Sequence, residues 1–252
     1  MAGETTTSVD TLTSDGMLGR LRNAPEGPNT LGQGRPFWIG FAVLVGVLLV
    51  YPMFRSSYYV SNTAYLLVSA FLGLSLCIVW GYTGIFSFGQ VAFYGIAGYT
   101  FGIVSINLTG PVGTMAGLLV GVAVSGAFAF LVGYFMFYGG VSDVYVAIIT
   151  LAVTLVLHTF MGQTAGEEWA VGAARLGGFN GMTEIPSLAI GVGDAAVEIT
   201  DAVFYYFVVL ALLLTYLGLR VLVNSDIGYV MVGIRENQDR TELFGYDTRR
   251  IK

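Results

Sequence analysis

Residues 112–136 read VGTMAGLLVGVAVSGAFAFLVGYFM, an uninterrupted run that contains no charged side chain. The hydrocarbon core of a bilayer is about 30 Å thick, and a helix needs roughly 20 residues to cross it. Because lipid offers no hydrogen bonds to the backbone, such a run is expected to be helical rather than an open strand. The segment therefore predicts a membrane-spanning helix.

Apolar runs of similar length recur on both sides of this segment, at residues 36–54, 59–80, 87–106, 144–161 and 202–223. Hydrophobic residues make up 55% of the chain and charged residues 11%, with a mean hydropathy of +0.74. Soluble domains usually carry about a quarter charged residues. The sequence thus predicts an all-α integral membrane protein, a polytopic helical bundle of about six transmembrane helices.

The composition excludes several kinds of site. The chain holds one cysteine, Cys77, and one histidine, His158, so it can build neither an internal disulfide nor a metal site from several such ligands. Its formal charge is −5 and it has no basic patch to neutralise phosphates, so we expect no nucleic-acid partner. No metal and no bound cofactor are expected on this chain.

Two pairs of glycines have the small-xxx-small spacing that brings membrane helices close together: Gly98 with Gly102 and Gly117 with Gly121. We interpret these glycines as packing positions rather than functional ones.

Arginine and lysine concentrate towards the two ends of the chain: Arg20, Arg22 and Arg35, then Arg235, Arg240, Arg249, Arg250 and Lys252. Cytoplasmic loops of membrane proteins carry an excess of these residues. Six crossings place both ends on one side, so both termini are expected in the cytoplasm and the mostly acidic connection 162–201 outside. The predicted units are a disordered cytoplasmic tail at 1–35, a transmembrane domain at 36–223 and a cytoplasmic segment at 224–252.

The first stretch that could carry function is GYTGIFSFGQ, residues 81–90, with a glycine-rich break between the second and third runs. Three glycines in ten residues disfavour a continuous helix, and such breaks in transporters expose backbone groups that can meet a substrate. The candidate pathway residues are Gly81, Tyr82, Thr83, Gly84, Ser87, Gly89 and Gln90. An ordinary cytoplasmic turn remains the alternative interpretation.

The second stretch is LGGFNGMTEIP, residues 176–186, in the outer connection. Its paired glycines, Asn-Gly step and proline are typical of tight turns. The candidate residues for docking a partner or gating an entrance are Gly178, Asn180, Gly181 and Thr183. A plain connection with turn chemistry explains the pattern equally well.

The third stretch covers residues 225–245, where an apolar stripe recurs at helical spacing: Ile227, Val230, Met231 and Ile234. On the other face, Glu236 and Arg240 are spaced to pair along a helix, and Gly245 supplies a stop. This surface helix could rest on lipid or its own bundle, or dock into a soluble partner. The candidate docking residues are Gly228, Gly233, Arg235, Glu236, Asn237 and Gly245.

Taken in order, these stretches resemble the permeases of branched-chain amino acid ABC importers, specifically the LivM-type subunit. The matching blocks are WGYTG at 80–84, SFGQVAFYG at 87–95, YVAIITL at 145–151, GGFNGMT at 177–183, GIREN at 233–237 and GYD at 245–247. The family also includes urea permeases, and Gln90 with the blocks at 81–84 and 245–247 is similar to that branch. Both solute classes therefore remain open.

The resemblance implies a division of labour among several chains. An extracytoplasmic solute-binding protein delivers the solute, a second homologous permease completes a heterodimer, and two cytoplasmic ATPase subunits drive transport. The segment 225–245 looks like the ATPase-coupling helix of such permeases. The sequence contains no G-x-x-x-x-G-K-[ST] motif, so the chain is expected to be no enzyme and ATP to be used by the partner.

The resemblance also implies the plasma membrane of a prokaryote and a chain that is truncated at its C-terminal end relative to the family. A self-sufficient secondary transporter or channel for a small solute is the rival function. Apart from His158, no ionisable side chain lies deep within a predicted span, and Arg220 is near an end where it could snorkel. Ion-coupled transporters often keep such groups as relays, so the pattern favours a conduit that is driven by another subunit.

Overall fold

The computed structural model describes residues 27–30, 32–191 and 196–252, and most of these are helical. The long helices are α1 (Gly34–Phe54), α2 (Ser57–Thr83), α3 (Gln90–Asn107), α4 (Pro111–Tyr138), α5 (Asp143–Gly162) and α6 (Asp201–Val223). Shorter helices follow: α7 (Asp226–Glu236), α8 (Gln238–Leu243) and α9 (Thr248–Ile251). Each predicted apolar run coincides with one long helix, which confirms the polytopic all-α bundle.

Among the residues described, five helices are long and apolar enough to cross a membrane, namely α1, α2, α4, α5 and α6. The helix α3 does not reach that apolarity, because Gln90 and Asn107 form its ends and Tyr94 and Tyr99 lie within it. Its predicted start at Ser87 is wrong, since the connection from α2 continues for three further residues before α3 begins.

The helices α3 and α4 form the most extensively packed pair. A Cβ added at Gly121 would lie 2.8 Å from the carbonyl oxygen of Ala97, and one at Gly117 would lie 2.9 Å from that of Phe101. These glycines therefore let the two backbones meet, as their spacing predicts. Gly98 differs, because a Cβ there would meet nothing within 4 Å.

A second pair is formed by α2 and α6, and α1 leans against both. Val60 and Ala64 from α2 are buried against Tyr205 and Val209 from α6. The Tyr205 hydroxyl donates to the carbonyl oxygen of Leu48 in α1 over 2.8 Å, which satisfies its polar end within the apolar cluster. The bundle thus consists of the pairs α3–α4 and α2–α6, with α5 beside α3.

Arg220 fastens the segment before α1 to α6. Its side chain is only 4% exposed, and it donates to the carbonyl oxygen of Gly32 over 3.0 Å. Its guanidinium carbon lies 4.4 Å from the centre of the Phe37 ring, a cation–π distance. Aromatic rings and a backbone carbonyl therefore surround the charge of Arg220 within the protein.

The part of the predicted tail that the structure describes lies against the ends of α2 and α6. The side-chain amide of Asn29 donates to the carbonyl oxygen of Val223, and the backbone carbonyl oxygen of Asn29 accepts from the hydroxyl of Tyr82, both over 2.8 Å. Residues 1–26 and 31 of the predicted tail lie outside the described residues. Residues 27–30 and 32–33 consequently occupy the same end of the bundle as helices α7 to α9.

The connection between α5 and α6 lies at the opposite end. It contains two antiparallel hairpins of two-residue strands, β1 (Ala170–Val171) with β2 (Ala174–Arg175) and β3 (Ala189–Ile190) with β4 (Val197–Glu198), and a 3₁₀ turn at Gly178–Asn180. Ala170 faces Arg175 in the first hairpin, and Ala189 faces Glu198 in the second. The Thr114 hydroxyl of α4 exchanges hydrogen bonds with the backbone of Ala189, which anchors the second hairpin to the bundle.

The close approach of α3 and α4 can be tested with Gly117→Ala. The added methyl group meets backbone, which cannot swing aside, so we expect a loss of roughly 1–3 kcal/mol in stability. Thermal unfolding in detergent measures this loss. Gly126→Ala in the same helix is the control, because nothing lies within 4 Å of a Cβ there. Equal midpoints for the two variants would contradict the packing.

Candidate functional site

The glycine-rich break is shorter than the sequence predicts. The helix α2 continues through Gly81 and Tyr82 and ends at Thr83, and Gly84, whose φ of +77° is left-handed, caps it. The N–H of Gly84 donates to the carbonyl oxygen of Trp80 over 3.1 Å and closes the last turn. The non-helical stretch is therefore 84–89.

The break is bonded to α5 by two threonines. The N–H of Phe88 donates to the hydroxyl oxygen of Thr150 over 3.1 Å, and the hydroxyl of Thr154 donates to the carbonyl oxygen of Phe88 over 3.0 Å. Both backbone polar groups of one non-helical residue are thus satisfied by side chains of a neighbouring helix. Sequence reasoning missed these residues, although two threonines one turn apart in an apolar helix were a usable signal.

Apolar packing also holds the break in place. Ile85 is 1% exposed and lies in a cluster with Met136 of α4 and Val146 of α5. The hydroxyl oxygen of Ser87, also buried, accepts from the N–H of Gly89 over 3.1 Å, which leads the chain into α3. The connection is therefore a fixed junction of four helices.

The predicted coupling residue Arg235 contacts this junction directly. Its guanidinium donates to the carbonyl oxygen of Gly81 near the end of α2. A Cβ added at Gly84 would lie 2.9 Å from the Cγ of Arg235, so the glycine leaves room for the arginine stem. A cation is favourable beside the last carbonyls of a helix. The first and third candidate stretches therefore meet in space.

Glu236 pairs with its neighbour and not with the residue one turn ahead. Its carboxylate lies 2.8 Å from the guanidinium of Arg235. The predicted pair with Arg240 is not formed, because α7 ends at Glu236 and the helical register breaks at Asn237. The Asn237 side chain instead accepts from the N–H of Arg240 and caps α8. The single helix expected over 225–245 is thus two helices.

The helix α7 packs against α2 and α6. Val230, Met231 and Ile234 of the predicted stripe are buried, whereas Ile227 is exposed. A Cβ at Gly228 would fall 2.2 Å from the carbonyl oxygen of Val223, so only glycine fits this turn beneath α6. The two remaining candidate glycines lie further along this segment: Gly233, 3.2 Å from the hydroxyl of Thr241 if given a Cβ, and Gly245, with a φ of +90°.

The end of the chain is tied to α5. The Nζ of Lys252 lies 2.7 Å from the carboxylate of Asp143, at the first residue of α5, and 2.7 Å from the side-chain oxygen of Gln238. Hydrogen bonds from Thr248 and Gln238, with weaker attraction from nearby cations, lower the pKa of Glu242 below its ordinary value. These contacts hold α8 and α9 on the start of α5.

Apolar side chains are exposed at the end of α8 and just after it. Leu243 is 86% exposed and Phe244 is 83% exposed, and Tyr246 next to Gly245 is half exposed. They lie at the same end as Arg235 and Lys252, where the described cations concentrate. This end of the molecule therefore presents an apolar tip within a charged surface.

The candidate residues of the outer connection occupy glycine-dependent turns. Gly178 begins the 3₁₀ turn with a φ of +59°, and Gly181 follows it with a φ of +75°. Asn180 and Thr183 are exposed. The Asn107 side chain donates to the carbonyl oxygen of Val171 over 2.8 Å, which fixes the first hairpin to the end of α3.

A cleft of about 910 Å³ opens between the α2–α6 pair and the α3–α4 pair, beneath this connection. Gly181 is the one member of the four outer candidates that lines it, and the candidate pathway residues from Gly81 to Gln90 do not. Its polar lining includes Ser61, whose hydroxyl donates to the carboxylate of Asp201 over 3.0 Å. Sequence reasoning missed this pair and counted Asp201 only as one of several outer acidic residues.

The long apolar helices form a bundle, and α7 contacts the junction between them through Arg235. These features define a polytopic all-α membrane permease. Residues 58–252 match the family described as the permease component of the branched-chain amino acid transport system, and the chain belongs to that family. Members of this family are transport subunits. No curated protein and no solved structure matches the chain.

The bond between the break and α5 can be tested with Thr150→Val. The substitution keeps the shape but leaves the N–H of Phe88 without its acceptor, at a cost of about 1–3 kcal/mol. We expect faster amide hydrogen exchange at Phe88 and a lower unfolding temperature. The exposed Thr159→Val in the same helix is the control. Unchanged exchange at Phe88 in Thr150→Val would contradict the assigned bond.

Proposed function

We propose that this chain is the membrane-spanning permease subunit of an ATP-driven ABC importer for branched-chain amino acids or a related small solute. The family membership supports a permease. The proposal that transport is driven by ATP rests on the contact from Arg235 to the carbonyl oxygen of Gly81. This contact links a surface segment to the junction of the spanning helices.

The segment formed by α7, α8 and α9 is the proposed receiver of force from the ATPase. It combines an exposed apolar tip, Leu243 and Phe244, with a charged surround, which suits a protein groove better than lipid alone. A displacement of α7 reaches α2 through Arg235, and a displacement of α8 reaches α5 through Lys252, which contacts Gln238 and Asp143. Thr150 then passes the movement of α5 to the break.

The proposed assembly has a second homologous permease, two cytoplasmic ATPase subunits and an extracytoplasmic solute-binding protein, in the plasma membrane of a prokaryote. ATP is used by the ATPase subunits. The end that carries α7 to α9 faces the cytoplasm in this proposal. Its support is the cation excess there, together with the proximity of residues 27–30 and 32–33 to that same end.

The solute is proposed as a branched-chain amino acid, with urea or another amide as the alternative within the same family. The resemblance of the blocks at 81–84 and 245–247 to urea permeases supports the second possibility. Uptake of labelled leucine and labelled urea by one preparation distinguishes them directly.

Reconstitution tests the importer function. We expect proteoliposomes with this chain, its partner permease, the ATPases and the binding protein to accumulate solute when ATP is supplied. Leaving out either the ATPase or the binding protein is expected to abolish uptake. Uptake that is driven by an ion gradient through this chain alone would favour a secondary transporter and overturn the proposal.

The transmitting role of Arg235 is tested with Arg235→Gln in the complete importer. The variant loses the charged contact with α2, so we expect solute-stimulated ATP hydrolysis to fall about fivefold or more while the ATPase still co-purifies. Arg175→Gln is the control, since that residue pairs with Glu167 on an exposed surface at the opposite end. Full stimulation in Arg235→Gln would contradict the proposed path.

A further inference from the structure

The described lining of the cleft between the two helix pairs is mostly apolar, with a few hydroxyl groups and one carboxylate. Val68, Phe101 and Leu118 belong to the apolar part, and Asp201 supplies the carboxylate. None of the described residues that line the cleft is a lysine, arginine or histidine. A volume of about 910 Å³ is in the range of pockets that hold small molecules.

Asp201 has an unusual backbone. Its φ is +44°, in the left-handed region that few residues other than glycine, asparagine and aspartate adopt. It is the first residue of α6, where the helix dipole favours an ionised carboxylate. The Ser61 hydroxyl donates to one carboxylate oxygen, and a carboxylate can accept about four hydrogen bonds in all. The exposed Asp201 can therefore accept further donors from a solute.

Two glycines of α3 leave space on the opposite wall. A Cβ added at Gly95 or at Gly98 would meet nothing within 4 Å, and both residues line the cleft. An aliphatic group can therefore lie against the α3 backbone without displacing a side chain. The cleft thus combines an apolar bed with an anionic group at its outer end.

We propose that the Asp201–Ser61 pair determines specificity by binding the ammonium group of a zwitterionic solute whose aliphatic body lies along Gly95 and Gly98. The pair favours an amino acid over urea, because urea carries no charge for the carboxylate to select. This inference rests on the proposed transport function and names the residues that choose its solute.

A protection assay in native membranes tests the site directly. Gly98→Cys, made in a Cys77→Ser background, is labelled from outside with a membrane-impermeant maleimide. We expect leucine to slow the labelling, and its deaminated analogue isocaproate and urea to leave it unchanged. Adding Asp201→Asn is expected to raise the half-protecting leucine concentration about tenfold or more, since a charge-assisted hydrogen bond is lost.

The chain offers a matched control for the charge. Glu184 is another acidic residue of the outer connection at a positive φ, 63°, and it does not line the cleft. Glu184→Gln should leave the protection by leucine unchanged. Asparagine tolerates the left-handed backbone and can still accept from Ser61, so Asp201→Asn removes the charge with little change of shape.

Four outcomes overturn the proposal. They are a failure of leucine to protect, equal protection by isocaproate or urea, equal effects of Asp201→Asn and Glu184→Gln, and a cysteine that never labels because another helix or protein covers the cleft. The assay needs neither ATP nor partner proteins. A negative result therefore leaves the importer assignment standing, and a failed reconstitution leaves this assay interpretable.

Discussion

The structure depends on the satisfaction of backbone polar groups where the helical path is interrupted. A helix satisfies its own amides and carbonyls, but the six residues between α2 and α3 cannot. Thr150 and Thr154 form hydrogen bonds with the backbone N–H and carbonyl of Phe88. At the last turn of α2, Arg235 donates a hydrogen bond to the carbonyl oxygen of Gly81. Three residues from two separate helices, α5 and α7, are therefore required for one short break.

This requirement explains why the C-terminal helices lie where they do. Arg235 can reach Gly81 only if α7 turns tightly beneath α6, and Gly228 permits that turn because a side chain there would collide with Val223. The buried stripe of α7 then covers the ends of α2 and α6. The hydrogen bond from Arg235 to Gly81 and the position of α7 are therefore determined together.

The sequence predicted what depends on composition and period. The long apolar runs became helices, Gly117 and Gly121 became contact points, and the stripe around Val230 became a buried face. The sequence did not predict features that depend on contacts between residues far apart in the chain. The burial of Arg220 depends on residues of another segment, which surround its charge. The Asp201–Ser61 pair joins residues far apart in sequence, so no local pattern could indicate it.

The burial of Arg220 has a consequence for how the protein can be handled. Its charge is permanent, so the oxygen of Gly32 and the ring of Phe37 must remain to stabilise it. A shortened chain that begins after Gly32 would leave a buried cation with fewer partners, which is costly in an apolar bundle. Affinity tags and fluorescent fusions should therefore leave Gly32 and the residues that follow it in place.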